Sequence, residues 1–88
     1  MTRFFSNPHT AARVIDGLTF VVTPDDSKLH TLNPTATCLW QLAKEGCNLE
    51  EATQKLMSLY EVDHEQAKRD VEICFEDLVH RAILLIAE

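Results

Sequence analysis

At Asn33-Pro34 the spacing of the apolar residues changes, and that change limits what the chain can become. Before it, in the run KLHTL (Lys28 to Leu32), Leu29 and Thr31 oppose Lys28, His30 and Leu32, the two-residue alternation of a strand. After it, Ala36, Leu39, Trp40 and Ala43 recur at helical spacing. The Asn33 side chain can accept free N–H groups of a first helical turn. Pro34 suits the first helical position because its φ is already set and its missing N–H would have had no partner there. A strand therefore runs directly into a helix.

Upstream, ARVIDGLTFVV reads as two short strands around Asp16-Gly17, a hairpin signal because glycine accepts the positive φ of a tight turn. Leu18, Phe20 and Val22 share one face of the second strand, and Thr19, Val21 and Thr23 share the other. TPDDSK marks the next turn, and KLHTL becomes the third strand of an antiparallel meander. Residues 1–9 are expected to be a flexible segment and residues 10–88 a single domain.

Downstream, Gly46 is placed to end the first helix. Asn48 with Glu51 has the spacing of a capping box for a second helix, whose stripe is Ala52, Leu56 and Leu59 with Tyr60 beside it. Asp63 with Gln66 opens a third and longest helix, with Ala67, Val71, Cys74, Phe75, Leu78 and Ala82 on one stripe. ILLIA closes the chain as further helix or as a short extended tail. The fold class is α+β: a three-stranded antiparallel meander followed by three helices, with winged-helix character.

Composition narrows the function. The 88 residues, 45% hydrophobic and 25% charged, suit one ordered domain with a thin core. Fourteen acidic against eight basic residues give a net charge of −6, which repels phosphate backbones and anionic lipid. Nucleic acid and membrane are thus not expected as partners. Cys38, Cys47 and Cys74 are an odd set, and MTRFFSNPHT lacks the apolar run of a secretory signal, so a cytoplasmic protein with reduced thiols is expected.

Chemistry-bearing patterns are sparse. Cys38 and Cys47 are nine residues apart, and His9, His30, His64 and His80 are scattered, so neither metal nor cofactor is expected. Gly17 and Gly46 stand alone rather than in a phosphate loop, and Asp25-Asp26 lie in a solvated turn. Cys38 with His30 remains open as a nucleophile pair, although a buried inert thiol is the simpler state for Cys38. No catalytic activity is expected.

What remains is surface. The edge of KLHTL carries only Lys28 as a blunting charge and is a template for a further strand. On the third helix Ile73 lies off the apolar stripe, with Asp70 and Asp77 on the same flank. The bland reading makes Ile73 an incidental exposed side chain and Asp77 a partner of Arg81; the functional one makes the flank a groove wall with an acidic rim. Trp40 and Tyr60 read as core residues. A DNA-binding winged helix shares the outline but needs clustered cations. The second helix offers Lys55 alone, and the third sets Lys68 and Arg69 among Asp70, Glu72, Glu76 and Asp77. A structural or homodimerising partner using the same strand edge is the other alternative.

The segments from Asp16 to Leu42 and from Glu50 to Leu85 resemble the PqqD family, small proteins of coenzyme PQQ synthesis and of related peptide-modification clusters. Leu32 to Leu42, the Leu56–Tyr60 spacing and the run from Asp70 to Leu78 carry the resemblance. It implies that the leader of a ribosomally made precursor peptide binds as an added strand and is presented to a modifying enzyme, typically a radical SAM enzyme. Carried onto this chain, the strand is Lys28, Leu29, His30, Thr31 and Leu32, and the facing helix positions are Asp70, Ile73, Cys74 and Asp77. Members often have glycine after the third helix; here Ala82 stands before Ile83-Leu84.

Overall fold

A computed structural model describes residues 2–87 of the chain. Its elements are β1 (Arg3–Ser6), β2 (Ala11–Ile15), β3 (Leu18–Thr23), β4 (Lys28–Leu32), α1 (Pro34–Ala43), α2 (Leu49–Leu59), α3 (His64–His80) and β5 (Leu84–Ala87). The architecture is α+β and winged-helix-like. One antiparallel sheet has the order β2-β3-β4, and a second pairs β1 with β5.

The meander forms where the turn chemistry permits. Asp16 at φ 52° and Gly17 at φ 79° make the tight turn between β2 and β3, in register Ile15 with Leu18. In β3 the inward face is Thr19, Val21 and Thr23, all buried. Two threonines are tolerated there because the Thr19 hydroxyl donates to Thr37 Oγ1 (2.9 Å), and the Thr37 hydroxyl donates to the Leu32 carbonyl (3.3 Å). This chain of hydroxyls fastens the sheet to the first turn of α1. The five residues of β2 are all exposed, so that strand projects as a wing.

The helices begin at the expected caps. Asn33 Oδ1 accepts from Ala36 N at 2.8 Å with Pro34 at the first position. Asn48 and Glu51 form the reciprocal capping box, at 2.8 and 2.9 Å. Asp63 Oδ1 accepts from Gln66 N at 2.8 Å. The core collects Leu39, Trp40 and Ala43 from α1, Ala52 and Leu56 from α2, and Ala67, Val71, Phe75 and Leu78 from α3.

Three sequence expectations are corrected. First, residues 1–9 are not a loose segment as a whole. Arg3–Ser6 form β1, and Phe4 is buried with its ring centroid 4.7 Å from that of Phe75. Pairing with β5 satisfies the backbone of β1 and lets an apolar side chain reach the core. Met1 and Glu88, at the outer limits of the two expected ranges, lie outside the described residues. Second, Ala82 does not continue the stripe of α3. The helix stops at His80, and Ala82 takes a left-handed φ of 61°. Ile83 N donates to Leu78 O (2.9 Å) and Ala82 N to Val79 O (3.0 Å), the paired bonds of a Schellman cap. Third, Tyr60 is 43% exposed rather than core, its hydroxyl accepting from Thr35 Oγ1 at 3.1 Å.

Gly46 follows α1 at φ 88°, and a side chain there would meet the Phe5 ring at 2.5 Å. The loop between α1 and α2 can therefore lie against β1 only with glycine at this point.

Candidate functional site

The sheet ends at β4, which pairs with β3 on one side only. Alternate residues of a strand aim N–H and C=O away from their neighbour, so the far rim of β4 presents unpaired backbone groups. The tail that follows α3 does not cover this rim, because β5 pairs with β1.

Beside the rim lies an open cavity of about 590 Å³ between β4 and α3. Thr31 and Leu32 line its sheet side, Asn33, Thr35 and Ala36 its end at α1, and Asp70, Ile73, Cys74, Asp77, Leu78 and Arg81 its helical side. The helical residues follow 3.6-residue periodicity along one flank of α3.

Of the five strand residues singled out from the sequence, Thr31 and Leu32 line the cavity, and Lys28, Leu29 and His30 continue along the rim beyond it. Leu32 is buried, while Leu29 is 64% exposed on the outer face. His30 is half-buried, its Nε2 lying 3.3 Å from Thr23 Oγ1. Lys28 begins the strand from a turn held by Asp26, whose carboxylate accepts the Thr23 hydroxyl and, at 3.1 Å, the Lys28 N–H. Those two bonds, the Thr23 hydroxyl first, keep the Asp26 carboxyl below its ordinary range.

All four helix positions, Asp70, Ile73, Cys74 and Asp77, line the cavity. Ile73 is 62% exposed, an apolar side chain standing in water on the groove wall. Asp70 Oδ1 accepts from Gln66 Nε2 at 2.8 Å, and Asp77 Oδ1 from Arg81 Nε at 3.2 Å. Both bonds are exposed and leave acceptor capacity on each carboxylate. Cys74 is half-buried; burial and then the Asp77 carboxylate push its thiol up to about 11, against the opposing Arg81 charge. At neutral pH it is a protonated, weakly polar wall.

Sequence periodicity missed Asn33, Thr35, Ala36, Leu78 and Arg81 as groove residues. Arg81 was read from the sequence only as the i+4 partner of Asp77; in the structure it caps α3 and lines the groove end. Cys38 lines a separate cavity with Gln41, Leu42, Glu45, Lys55 and Leu59, so it does not share a site with His30. Among the described residues no cluster of three His, Cys, Asp or Glu is arranged to hold a metal ion. Nor, among those residues, is any helix long and apolar enough to cross a membrane.

The family model described as Coenzyme PQQ synthesis protein D (PqqD) matches residues 19–84. The chain belongs to the PqqD family. The match spans β3 through the start of β5, so the whole groove of this PqqD-family chain falls within it. Two solved structures share the fold. One is TbiB1 in complex with the TbiA(beta) leader peptide, with 20% identity, coverage of 91% of this chain and 93% of that one, and a TM-score of 0.84. The other is lasso peptide synthetase B1 complexed with the leader peptide, with 24% identity, coverage of 93% and 96%, and a TM-score of 0.82. No curated protein sequence gives a significant match.

Proposed function

We propose that this protein is a non-catalytic adaptor that binds the leader region of a ribosomally made precursor peptide and presents it to a modifying enzyme of the radical SAM class. The leader adds as a strand to the free rim of β4 and lays its side chains into the groove beside α3. The observation that carries this reading is the juxtaposition of an unpaired strand edge with a groove that no other part of the described chain fills. Family membership and two fold neighbours whose structures hold leader peptides support it.

Backbone pairing supplies affinity and register, and the groove supplies selection. Ile73 and Ala36 offer apolar contact, and Asp70 and Asp77 attract a cation on the same peptide. The same carboxylates, with a net charge of −6, repel nucleic acid. The adaptor raises the local concentration of substrate at the enzyme rather than contributing a reacting group. Cytoplasm, where precursor peptides are made, is its working compartment.

The test is a titration of isotopically labelled protein with the leader of a candidate precursor peptide. Amide shifts concentrated on Lys28–Leu32 and on Asp70, Ile73, Cys74 and Asp77 are expected. Proline at the centre of the leader's pairing segment removes a ladder donor and should weaken binding; unchanged affinity would sink strand addition. Sedimentation over a range of concentrations separates this reading from a homodimer paired through the β4 rim.

A further inference from the structure

The other flank of α3 carries a second concavity that the leader groove does not use. Phe4, Phe75 and Val79 form its floor, and Leu49 and Ile86 form its walls. Its volume is about 200 Å³, and the polar groups at its mouth are Glu72 and Glu76. With 100° between successive helical residues, Glu72, Phe75, Glu76 and Val79 centre roughly 180° from Asp70, Ile73, Cys74 and Asp77. The two depressions therefore open on opposite sides of one helix.

Three features of this socket point to a guest. Its floor is rigid, because Phe4 and Phe75 are buried and in ring contact. Ile86 on its wall is 51% exposed, so apolar surface stands open to water at the mouth. Glu72 and Glu76, one turn apart, are both exposed, and neither has an ion-pair or hydrogen-bond partner for its side chain among the described residues. Like charges at this spacing weaken a helix, so the pair is not explained by the stability of α3. Lys68 and Arg69 stand one turn before Glu72 on α3 without forming an ion pair with it, and Arg3, next to Phe4 in β1, is engaged with Glu51 (3.4 Å) and the Gly46 carbonyl (3.1 Å).

From this we infer that the socket between α3 and the β1–β5 pair is a docking site for a protein segment that presents a large apolar side chain next to lysine or arginine. The apolar side chain fills the space over Phe75 and Val79, and the neighbouring cation meets the two carboxylates. Charge complementarity selects this occupant over a second copy of the chain, whose own net charge of −6 opposes approach to an acidic rim. The inference does not rest on the leader-binding reading. If both hold, the two guests can be bound together, one on each side of α3.

Two short peptides test it: acetyl-Lys-Phe-Lys-amide and acetyl-Glu-Phe-Glu-amide, each titrated into labelled protein at low salt. The lysine peptide is expected to shift the amides of Leu49, Phe75, Val79 and Ile86 and to bind about tenfold more tightly than the glutamate peptide. The double substitution Glu72→Gln, Glu76→Gln should bring the two peptides to within about threefold, with a thermal midpoint unchanged or higher. Lack of shifts at those four residues, or equal binding of the two peptides, overturns the site. Shifts confined to Leu32, Ile73 and Cys74 also overturn it while leaving the leader groove standing. Concentration-dependent broadening at Ile86 and Val79 without peptide would replace the proposed guest by a second copy.

Discussion

Phe4 and Cys47 exchange two backbone hydrogen bonds, Phe4 N to Cys47 O at 2.7 Å and Cys47 N to Phe4 O at 3.0 Å. This bridge ties β1 to the loop between α1 and α2, and both side chains are buried. Phe4→Ala should therefore cost about 3–5 kcal/mol, the range for deleting a core phenylalanine. Urea unfolding followed by circular dichroism measures it. A loss below 1 kcal/mol would mean that the amino-terminal strand is not part of the cooperative unit.

The Schellman cap at the end of α3 is built with alanine where glycine has no steric penalty. Ala82→Gly keeps both capping bonds and relieves the left-handed strain at φ 61°. A gain of about 1 kcal/mol is expected, or a rise of about 4–8 °C in thermal midpoint for a domain of this size. Thermal melts of the two proteins decide it.

Ile73 is 62% exposed, so its removal should leave stability almost untouched. Ile73→Glu places a further carboxylate on the groove wall beside Asp70 and Asp77. Leader affinity should fall about tenfold or more while the melt is unchanged. Fluorescence anisotropy of a labelled leader reads the first quantity and differential scanning calorimetry the second.

Two thiols give the protein an alkaline limit. Burial is the largest cause that pushes both Cys47 and Cys74 up from 9.0 to about 11. Glu51 adds to the rise at Cys47 and Asp77 to that at Cys74, while Arg3 and Arg81 oppose. Between those values the unfolded chain binds fewer protons than the folded one, so stability falls as pH rises. Their contribution is complete below pH 9.0 and declines toward pH 11. Melts across that window should show a decline that is shallower in the Cys47→Ala, Cys74→Ala double variant.

Local chemistry made most of this fold legible. Asp16-Gly17, Asn33-Pro34, Asn48 with Glu51, and Asp63 with Gln66 each act within a few residues, and each appears in the structure as the turn or cap its chemistry demands. The β1–β5 pairing could not be read in that way. RFFS and LLIA are four residues each, and their partners lie at the far end of the chain. Such pairing leaves no periodic trace in either segment. Asn7 is similar: its side chain donates to the Ala82 carbonyl at 2.8 Å, across 75 positions. The groove was half legible. Helical spacing put Asp70, Ile73 and Asp77 on one flank and the family resemblance added Cys74, but the wall at the start of α1 required knowing how that helix leans on the sheet.

The clasp of Arg3 with Ala87 has a practical corollary. Residues paired across an antiparallel ladder have Cα atoms only about 5 Å apart. The segment between Arg3 and Ala87 therefore closes on itself. A shortened domain limited to residues 19–84 would keep the groove residues but strip away this clasp, together with the Phe4 ring that packs on Phe75.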